Sequence, residues 1–334
     1  MVVLITKNQE MKSYNLINIL NYSRQYATKI LLLVVTTFGL VFSNSQSASA
    51  YPFWAQQVAP ETPREATGKI VCANCHLAQK KAEVEIPHSV LPDTVFEAVV
   101  KIPYDLKSQQ VLADGSRGGL NVGAVLMLPD GFTIAPAERI PEEMKDKIAD
   151  VYYQSYREGS DNVVLVGPLP GEQHQEIVFP ILSPNPAENK SIHFGKYAVH
   201  LGANRGRGQV YPTGELSNNN GFKASASGSI DSITPVAAGG YEVVISTENG
   251  KVTDTIPAGP ALVVQEGQEI TAGSLLTENP NVGGFGQKDT EIVLQNPSRI
   301  LAMAVFAAGI MLAQVMLVIK KKQIERVQAA ETVI

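Results

Sequence analysis

Cys72 and Cys75 are the only cysteines in this 334-residue chain, and His76 follows the second one directly. Two thiols at this spacing can each form a thioether bond to one vinyl group of a haem, while the adjacent imidazole reaches the iron. A disulfide needs no neighbouring histidine, a thioredoxin-like pair needs a βαβ context, and a structural zinc site needs four clustered ligands. The motif therefore predicts one covalently attached haem c, with Cys72 and Cys75 as attachment residues and His76 as an axial ligand.

The second axial ligand has several candidates. Methionine is common at this position in c-type cytochromes, and Met127 and Met144 lie downstream of the motif. The remaining histidines are also possible ligands: His88, His174, His193 and His200. The α-amino group of Tyr51 is a further candidate if a signal peptide is removed before it, because its reference pKa of roughly 7.7–8 permits deprotonation on metal binding. Residue types alone do not choose among these groups.

Residues 1–50 have the three parts of a secretory signal peptide. A basic segment precedes a short apolar run at 30–35, and small residues follow up to Ala50. This arrangement predicts cleavage after Ala50 and a mature chain that begins at Tyr51. A retained membrane anchor is the alternative, but the apolar run is short for one.

A second apolar segment lies near the C-terminus. Residues 300–319 contain no charged side chain, and a helix of that length spans roughly 30 Å, the hydrocarbon thickness of a bilayer. We predict one transmembrane helix at 299–320. Lysines follow at 320–322, and such a cluster marks the cytoplasmic side. The tail at 321–334 is therefore expected on the cytoplasmic or stromal side, and the preceding body on the other side of the membrane.

The body at 51–298 is acidic. It contains 18 Lys and Arg against 29 Asp and Glu, a net charge of −11. Proteins that bind nucleic acid show basic patches, so this charge argues against a nucleic-acid partner. It would instead steer a basic protein partner toward the surface.

The body has a mainly β pattern. Apolar and β-branched runs at 95–102, 162–166 and 176–179 are bounded by Pro and Gly, as expected for short strands. Helical signal is limited to the haem segment and to residues 141–148, which have Pro and acids in the first turn. Many short strands separated by turns favour an elongated large β-sandwich domain.

A small β domain interrupts the large one in this prediction. A polar, turn-rich stretch at 217–221 is followed by apolar runs, which places the small domain at 220–278 and the large domain at 51–219 and 279–298. The Glu-Gly-x-x-Ile-x-x-Gly pattern at 266–273 resembles lipoyl and biotinyl carrier domains. No lysine occupies the tight hairpin that such carriers require, so a carrier role is not expected.

Five segments, in the right order, together resemble one known family over essentially the whole chain. They are 51–56 (Tyr-Pro-Phe-Trp-Ala-Gln), 71–76 (Val-Cys-Ala-Asn-Cys-His), 206–212 (Gly-Arg-Gly-Gln-Val-Tyr-Pro), 279–287 (Asn-Pro-Asn-Val-Gly-Gly-Phe-Gly-Gln) and the lysines at 320–322. The chain resembles the cytochrome f family, the haem subunits of the photosynthetic cytochrome b6f complex. Members of that family have a rudimentary small domain between two parts of a large one.

The resemblance implies specific residue roles. The sixth ligand would be the Tyr51 α-amino group, opposite His76. The family also has a chain of buried waters that starts near the haem and is held by amides. The matching positions here are Gln109 or Gln110, Asn204, Gln209, Asn219 and Asn281.

The resemblance also implies a function, namely single-electron transfer without bond chemistry of its own. Electrons would arrive from the Rieske iron–sulfur protein and leave to plastocyanin or cytochrome c6, beside cytochrome b6 and other subunits in the thylakoid membrane, with the large domain in the lumen. The runner-up is an exported haem enzyme or ligand sensor with an open distal site; a third interpretation is an assembly subunit with a structural haem.

The docking surface departs from the family's chloroplast pattern. Chloroplast members use lysines on both domains to meet an acidic plastocyanin, whereas the stretch at 107–117 keeps only two basic residues here. The segment 220–281 has two basic residues against seven acidic ones. We therefore expect weak attraction to a basic or near-neutral partner.

Overall fold

The structure is a computed structural model, and it describes residues 53–331. The predicted signal peptide at 1–50 and the candidate ligand Tyr51 lie outside the described residues.

Two sheets form the main body. The first has the order β1-β3-β10-β7 and consists of β1 (Glu83–Glu85), β3 (Val95–Lys101), β10 (Glu176–Leu182) and β7 (Thr133–Ile134). The second has the order β2-β16-β11-β6-β9-β8 and consists of β2 (Ser89–Val90), β16 (Gly284–Leu294), β11 (Gly195–Arg205), β6 (Asn121–Met127), β9 (Val163–Pro170) and β8 (Tyr153–Ser155). Neighbouring strands are antiparallel except for the parallel pair β16 and β2.

Alternating side chains make these sheets a sandwich. In β3, Phe96, Ala98 and Val100 are buried, while the residues between them are only partly buried. These three pack in one apolar cluster with residues of both sheets, including Phe179 of β10 and Leu201 of β11. Because side chains of a strand alternate between its two faces, one face of each sheet supplies this core. The predicted mainly β fold with a large sandwich is confirmed.

The six-stranded sheet also buries part of its outer face. Val125 and Met127 of β6 and Leu165 of β9 pack there against Ile70, next to the cysteine motif. Strand β6 is consequently buried on both faces from Val122 to Met127. This second cluster is the platform on which the motif lies.

A separate four-stranded sheet follows along the chain. Its order is β14-β13-β12-β15, formed by β12 (Gly228–Pro235), β13 (Tyr241–Thr247), β14 (Gly250–Ile256) and β15 (Glu269–Ile270). It has its own apolar core, which includes Ile230, Val243 and Leu276. All four strands fall within residues 220–278, and the exact domain boundaries stay a prediction.

Three α-helices lie among the described residues: α1 (Phe53–Val58), α2 (Glu142–Ile148) and α3 (Pro297–Glu331). A short strand pair, β4 (Gln110–Val111) with β5 (Arg117–Gly118), and 3₁₀ turns at Val71–Asn74 and Ala137–Arg139 complete the elements. Helix α2 agrees with the helix predicted at 141–148.

Helix α3 contains the predicted membrane span. It begins after Asn296, whose side-chain oxygen accepts the backbone N–H of Ser298 at 2.9 Å, and Pro297 occupies the first turn. Its most apolar stretch has a mean hydropathy of 2.4 and none of it is buried against protein. The helix extends past the predicted limit of 320 to Glu331, because no helix-breaking residue follows the lysines.

Candidate haem site

The cysteine motif is a tight loop. Val71–Asn74 form a 3₁₀ turn, and the carbonyl oxygen of Cys72 accepts the backbone N–H groups of Cys75 at 3.2 Å and His76 at 3.0 Å. This turn brings both cysteines and the histidine together within one short segment. Both thiols are free and half-buried.

The environment of the thiols argues against thiolate chemistry. Burial raises the pKa of the Cys72 thiol to about 12, and burial also raises the pKa of Cys75. Redox-active and zinc-binding cysteines instead need a stabilised thiolate. Within residues 53–331 no three His, Cys, Asp or Glu side chains cluster in a way that could hold a metal ion. The zinc alternative therefore lacks a set of ligands among these residues, and the two free thiols are available for thioether formation.

His76 is a buried, neutral imidazole. Its residue is 8% exposed, and burial lowers its pKa to about 4. One ring nitrogen, Nε2, lies 3.4 Å from Asn204 Nδ2, and the other, Nδ1, is buried without a hydrogen-bond partner. A metal-bound histidine commonly has one nitrogen on the metal and the other held by a polar neighbour. A neutral imidazole has one nitrogen lone pair to offer an iron, and Asn204 is placed as a polar neighbour of the ring, so the residues present fit a haem iron.

Asn204 reaches His76 because the opposing strand has a glycine. A Cβ at Gly123 would lie 2.9 Å from Asn204 Oδ1, closer than such atoms approach. Asn204 and Gly123 are cross-strand partners in β11 and β6. The absent side chain at Gly123 thus leaves space for the carboxamide under the imidazole.

Gln209 braces the loop from the opposite chain segment. Its backbone N–H donates to Cys75 O at 2.7 Å, its Oε1 accepts the N–H of Leu77 at 2.9 Å, and its Nε2 donates to Arg207 O at 3.0 Å. Gly208 precedes it, and a Cβ there would meet Cys75 O at 3.2 Å. The resemblance implies a water-holding amide at 209, and that role stays a prediction; in the structure this side chain also holds the loop that carries the cysteine motif.

The other predicted amides meet around the backbone of Arg207. Asn219 is fully buried; its Nδ2 donates to Arg207 O at 3.0 Å and lies 3.4 Å from Asn281 Oδ1. Its own Oδ1 is buried without a hydrogen-bond partner. Asn281 Oδ1 also accepts the N–H of Gly283 at 3.0 Å.

Gln109 does not join this group. Its side chain is exposed, so the choice of Gln109 as a buried amide is wrong. The neighbouring Gln110 is 2% exposed, and its Oε1 accepts the N–H of Arg207 at 2.7 Å. Gln110 starts strand β4, and the second glutamine of the pair turns inward there. The sequence could not decide between two adjacent glutamines, because only the strand's orientation separates them.

Arg207 is a site residue that motif reasoning missed. Its Nη1 donates to Val111 O at 2.8 Å and to Asn218 Oδ1 at 2.6 Å, and its Nη2 donates to Tyr211 Oη at 3.2 Å. The Asn218 amide in turn reaches Ala258 O at 2.9 Å, beyond β14. The sequence shows an arginine between two glycines at this point, but a surface turn would have the same pattern.

Tyr156 holds helix α1 over the loop. This tyrosine is 2% exposed; its Oη lies 2.6 Å from Ala59 O and 2.9 Å from Ala55 O, and Gln56 Nε2 donates to its carbonyl at 2.5 Å. Ala55 also packs in the cluster that includes Cys72. The chain that leads back toward residue 51 is therefore anchored beside the motif.

Aromatic side chains meet next to this anchor. Trp54 of α1 contacts Tyr211 edge to face, with ring centroids 5.9 Å apart. The contact with Tyr211 ties Trp54 to the Arg207 network.

The alternative axial ligands lie in different surroundings. Met127 is buried in the cluster below the loop, whereas Met144 lies on α2 and is partly exposed. His200 Nδ1 lies 2.8 Å from Asp289 Oδ1, and His174 Nδ1 lies 3.0 Å from Pro170 O. His88 and His193 are exposed. Among these candidates Met127 shares an apolar cluster with Cys72 of the motif.

A β-sandwich that carries a Cys-x-x-Cys-His loop on one sheet face, with an apolar span in the same chain, defines a membrane-anchored c-type cytochrome. The family described as "Apocytochrome F, N-terminal" matches residues 51–206, and "Apocytochrome F, C-terminal" matches residues 218–334. The chain belongs to the cytochrome f family. It is therefore a haem cytochrome of photosynthetic electron transport, in the cytochrome b6f complex.

Individual relatives agree over almost the whole chain. Cytochrome f of Microcystis aeruginosa is 68% identical over 325 residues, which is 96% of this chain and 99% of the relative. Cytochrome f of Rippkaea orientalis is 71% identical over 313 residues, 92% of this chain and 95% of the relative. Cytochrome f of Synechocystis sp. is 68% identical over 300 residues, 90% of each chain.

Proposed function

We propose that this chain carries single electrons on one haem c bound covalently through Cys72 and Cys75, with His76 and the Tyr51 α-amino group as axial ligands. The observation that carries the proposal is the buried, neutral His76 imidazole directly after two free thiols on a braced loop. The haem supplies a one-electron couple, and iron with both axial positions filled by protein has no open position for a substrate. The chain is on this basis an electron-transfer subunit and not an enzyme by itself.

The residues of the chain fix the site that the haem would occupy. Gln209 holds the loop backbone, Asn204 orients the His76 ring, and Tyr156 anchors the helix that leads to Tyr51. A ligand created only by signal cleavage would couple export, haem attachment and final folding. The buried amides Gln110, Gln209 and Asn219, with the partly buried Asn204 and Asn281, are placed to hold ordered water, since amides both donate and accept.

The electron route follows from the family. Electrons arrive from the Rieske iron–sulfur protein and leave to plastocyanin or cytochrome c6, with cytochrome b6 and the other subunits as partners in the complex. The large domain lies in the thylakoid lumen, and the C-terminal tail lies on the cytoplasmic or stromal side. Helix α3 supports this arrangement, because a single span keeps the haem domain beside its donor.

The acceptor surface is weakly charged or acidic in this proposal. Of the two basic residues at 107–117, Arg117 is paired with Glu278 at 2.9 Å, which leaves Lys107. A basic or near-neutral acceptor is therefore favoured over an acidic one. The rate of electron transfer from this chain to a basic acceptor should fall as salt is added. A rate that rises with salt toward such an acceptor would contradict this docking surface.

A redox titration and a measurement of carbon monoxide binding together test the proposed electron-transfer function. The processed, haem-loaded chain should show one reversible one-electron transition, and its reduced form should not bind carbon monoxide rapidly. The Cys72→Ala, Cys75→Ala double variant should release its haem on denaturation, whereas the parent should retain it. Rapid carbon monoxide binding would favour the haem enzyme or sensor instead.

The sixth ligand needs its own comparison. A chain whose cleavage after Ala50 is blocked should keep its haem but show an altered axial-ligand spectrum. Met127→Leu is the matched variant for the internal alternative and should leave the spectrum unchanged. If Met127→Leu instead altered the spectrum of the processed chain, Met127 and not Tyr51 would be the sixth ligand.

A further inference from the structure

Arg205 is a buried cation without a counter-charge. It ends strand β11, is 1% exposed and is among the largest fully buried side chains of the described residues. Its Nη2 donates to Lys81 O at 2.6 Å, but its Nε is buried without a hydrogen-bond partner. Within residues 53–331 no Asp or Glu forms an ion pair with it. Buried arginines are normally paired, so this one calls for an explanation.

The guanidinium keeps its charge despite burial. Burial lowers the pKa of Arg205 to about 10, which is still well above neutral pH. The site therefore contains a full positive charge in a region from which water is largely excluded. Such a charge acts over a longer distance than a surface charge, because solvent and salt screen it less.

Arg205 lies next to the residue of β11 that contacts the proposed haem ligand His76. Asn204, the preceding residue, contacts His76 from the outer face of the sheet, and side chains alternate, so Arg205 points to the sandwich interior. Neighbouring Cα atoms are roughly 3.8 Å apart, so the lengths of the two side chains keep the guanidinium within about 17 Å of the imidazole.

We propose that the buried Arg205 cation raises the reduction potential of the haem held at His76. The inference rests on the proposed function, since it requires a haem iron at that imidazole. Reduction adds one electron to ferric iron and gives ferrous iron, and the net charge of the site falls by one. A fixed positive charge nearby stabilises the more negative, reduced state relative to the oxidised one. Arg205 acts through the field at the iron and does not touch the reacting atoms.

The expected effect is measurable. Two unit charges separated by about 17 Å at an effective dielectric constant of about 20 change an equilibrium constant roughly fivefold. For a one-electron couple a tenfold change corresponds to about 59 mV, so the shift is about 40 mV.

The experiment is an equilibrium redox titration of the full, haem-loaded chain with small one-electron mediators. Arg205→Met removes the charge at similar length, and Arg205→Gln also keeps a donor for Lys81 O. Both should lower the potential by about 40 mV. Replacing a buried charge by an apolar group is often tolerated, so folded protein is expected.

Arg139→Met is the matched control. Arg139 is a surface cation paired with Asp93, and its neutralisation should shift the potential little, and less still at high salt. The Arg205 shift should instead persist at high salt. Unchanged potentials in Arg205→Met and Arg205→Gln would overturn the inference.

Two readouts separate this test from the proposed function. Covalent haem content and the axial-ligand spectrum are measured first in every variant. A parent chain without covalent haem would refute the proposed function itself. A parent with haem and an Arg205→Met variant of unchanged spectrum and unchanged potential would refute only the role of Arg205.

Discussion

Replacing Tyr156 by Phe removes the hydroxyl that holds helix α1 to the body of the protein. The ring is 2% exposed, and its Oη lies 2.6 Å from Ala59 O and 2.9 Å from Ala55 O. Without the hydroxyl, the Ala55 carbonyl still accepts the N–H of Ala59, whereas the Ala59 carbonyl loses the donor that Tyr156 supplied. A helix of six residues is not stable by itself, so α1 depends on such contacts.

The magnitude follows from the lost bond. Leaving a buried acceptor without its donor costs about 1–3 kcal/mol. If that cost is expressed locally, the population in which α1 is detached rises roughly 5- to 150-fold. Because α1 leads directly to residue 51, the same factor should apply to transient loss of the proposed Tyr51 ligand.

Carbon monoxide binding to the reduced, haem-loaded chain measures this opening. In Tyr156→Phe the rate should rise by the factor above, and urea should unfold the variant at a lower concentration. Tyr152→Phe is the control, since Tyr152 is 76% exposed, and it should match the parent. A Tyr156→Phe variant that is less stable but binds carbon monoxide no faster would refute the link between α1 and the axial ligand.

The same hydroxyl gives a pH dependence. Burial raises the pKa of Tyr156 to about 12, compared with about 10 in an unfolded chain. Between these values the unfolded chain releases a proton that the folded chain retains, so stability falls as pH rises from about 10 to 12. Unfolding in urea across this range should show a smaller loss in Tyr156→Phe than in the parent; equal slopes would contradict the assignment.

Three further substitutions test the scaffold. Phe179→Ala empties a fully buried position in the sandwich core and should lower the free energy of unfolding by about 3–5 kcal/mol. Urea titrations measure this loss, and an effect below about 1 kcal/mol would be incompatible with that packing. Gly171→Ala places a Cβ 2.6 Å from Leu120 O, a backbone atom that cannot move aside, and should cost about 1–3 kcal/mol by the same assay. Asn218→Leu removes the side-chain oxygen that accepts from Arg207 and the side-chain hydrogen bond to Ala258 O. Amide hydrogen exchange should then accelerate around residues 207–211, and unchanged exchange would argue against a shared network.

Local sequence patterns were sufficient for the parts of this protein that depend on local chemistry. The haem loop is a contiguous motif, the apolar span at 299–320 is a matter of length and composition, and the alternation at 95–101 predicts a strand with one buried face. Each of these follows from residue types within one segment, which is why each could be predicted without tertiary information.

Long-range contacts decided the rest. Gln209 is 132 positions from Leu77, the residue whose N–H it binds, and no local pattern distinguishes that role from holding water. Gln109 and Gln110 have the same side chain, and only the inward face of β4 separates them. Arg205 and Arg207 flank a glycine, a pattern that does not by itself say whether they are buried, and the packing of β11 against the 80–82 segment buries the first without a counter-charge. The sequence predicts a haem site at Cys72, Cys75 and His76; tertiary structure decided which distant groups contact that segment, because those contacts join segments that are far apart in the chain.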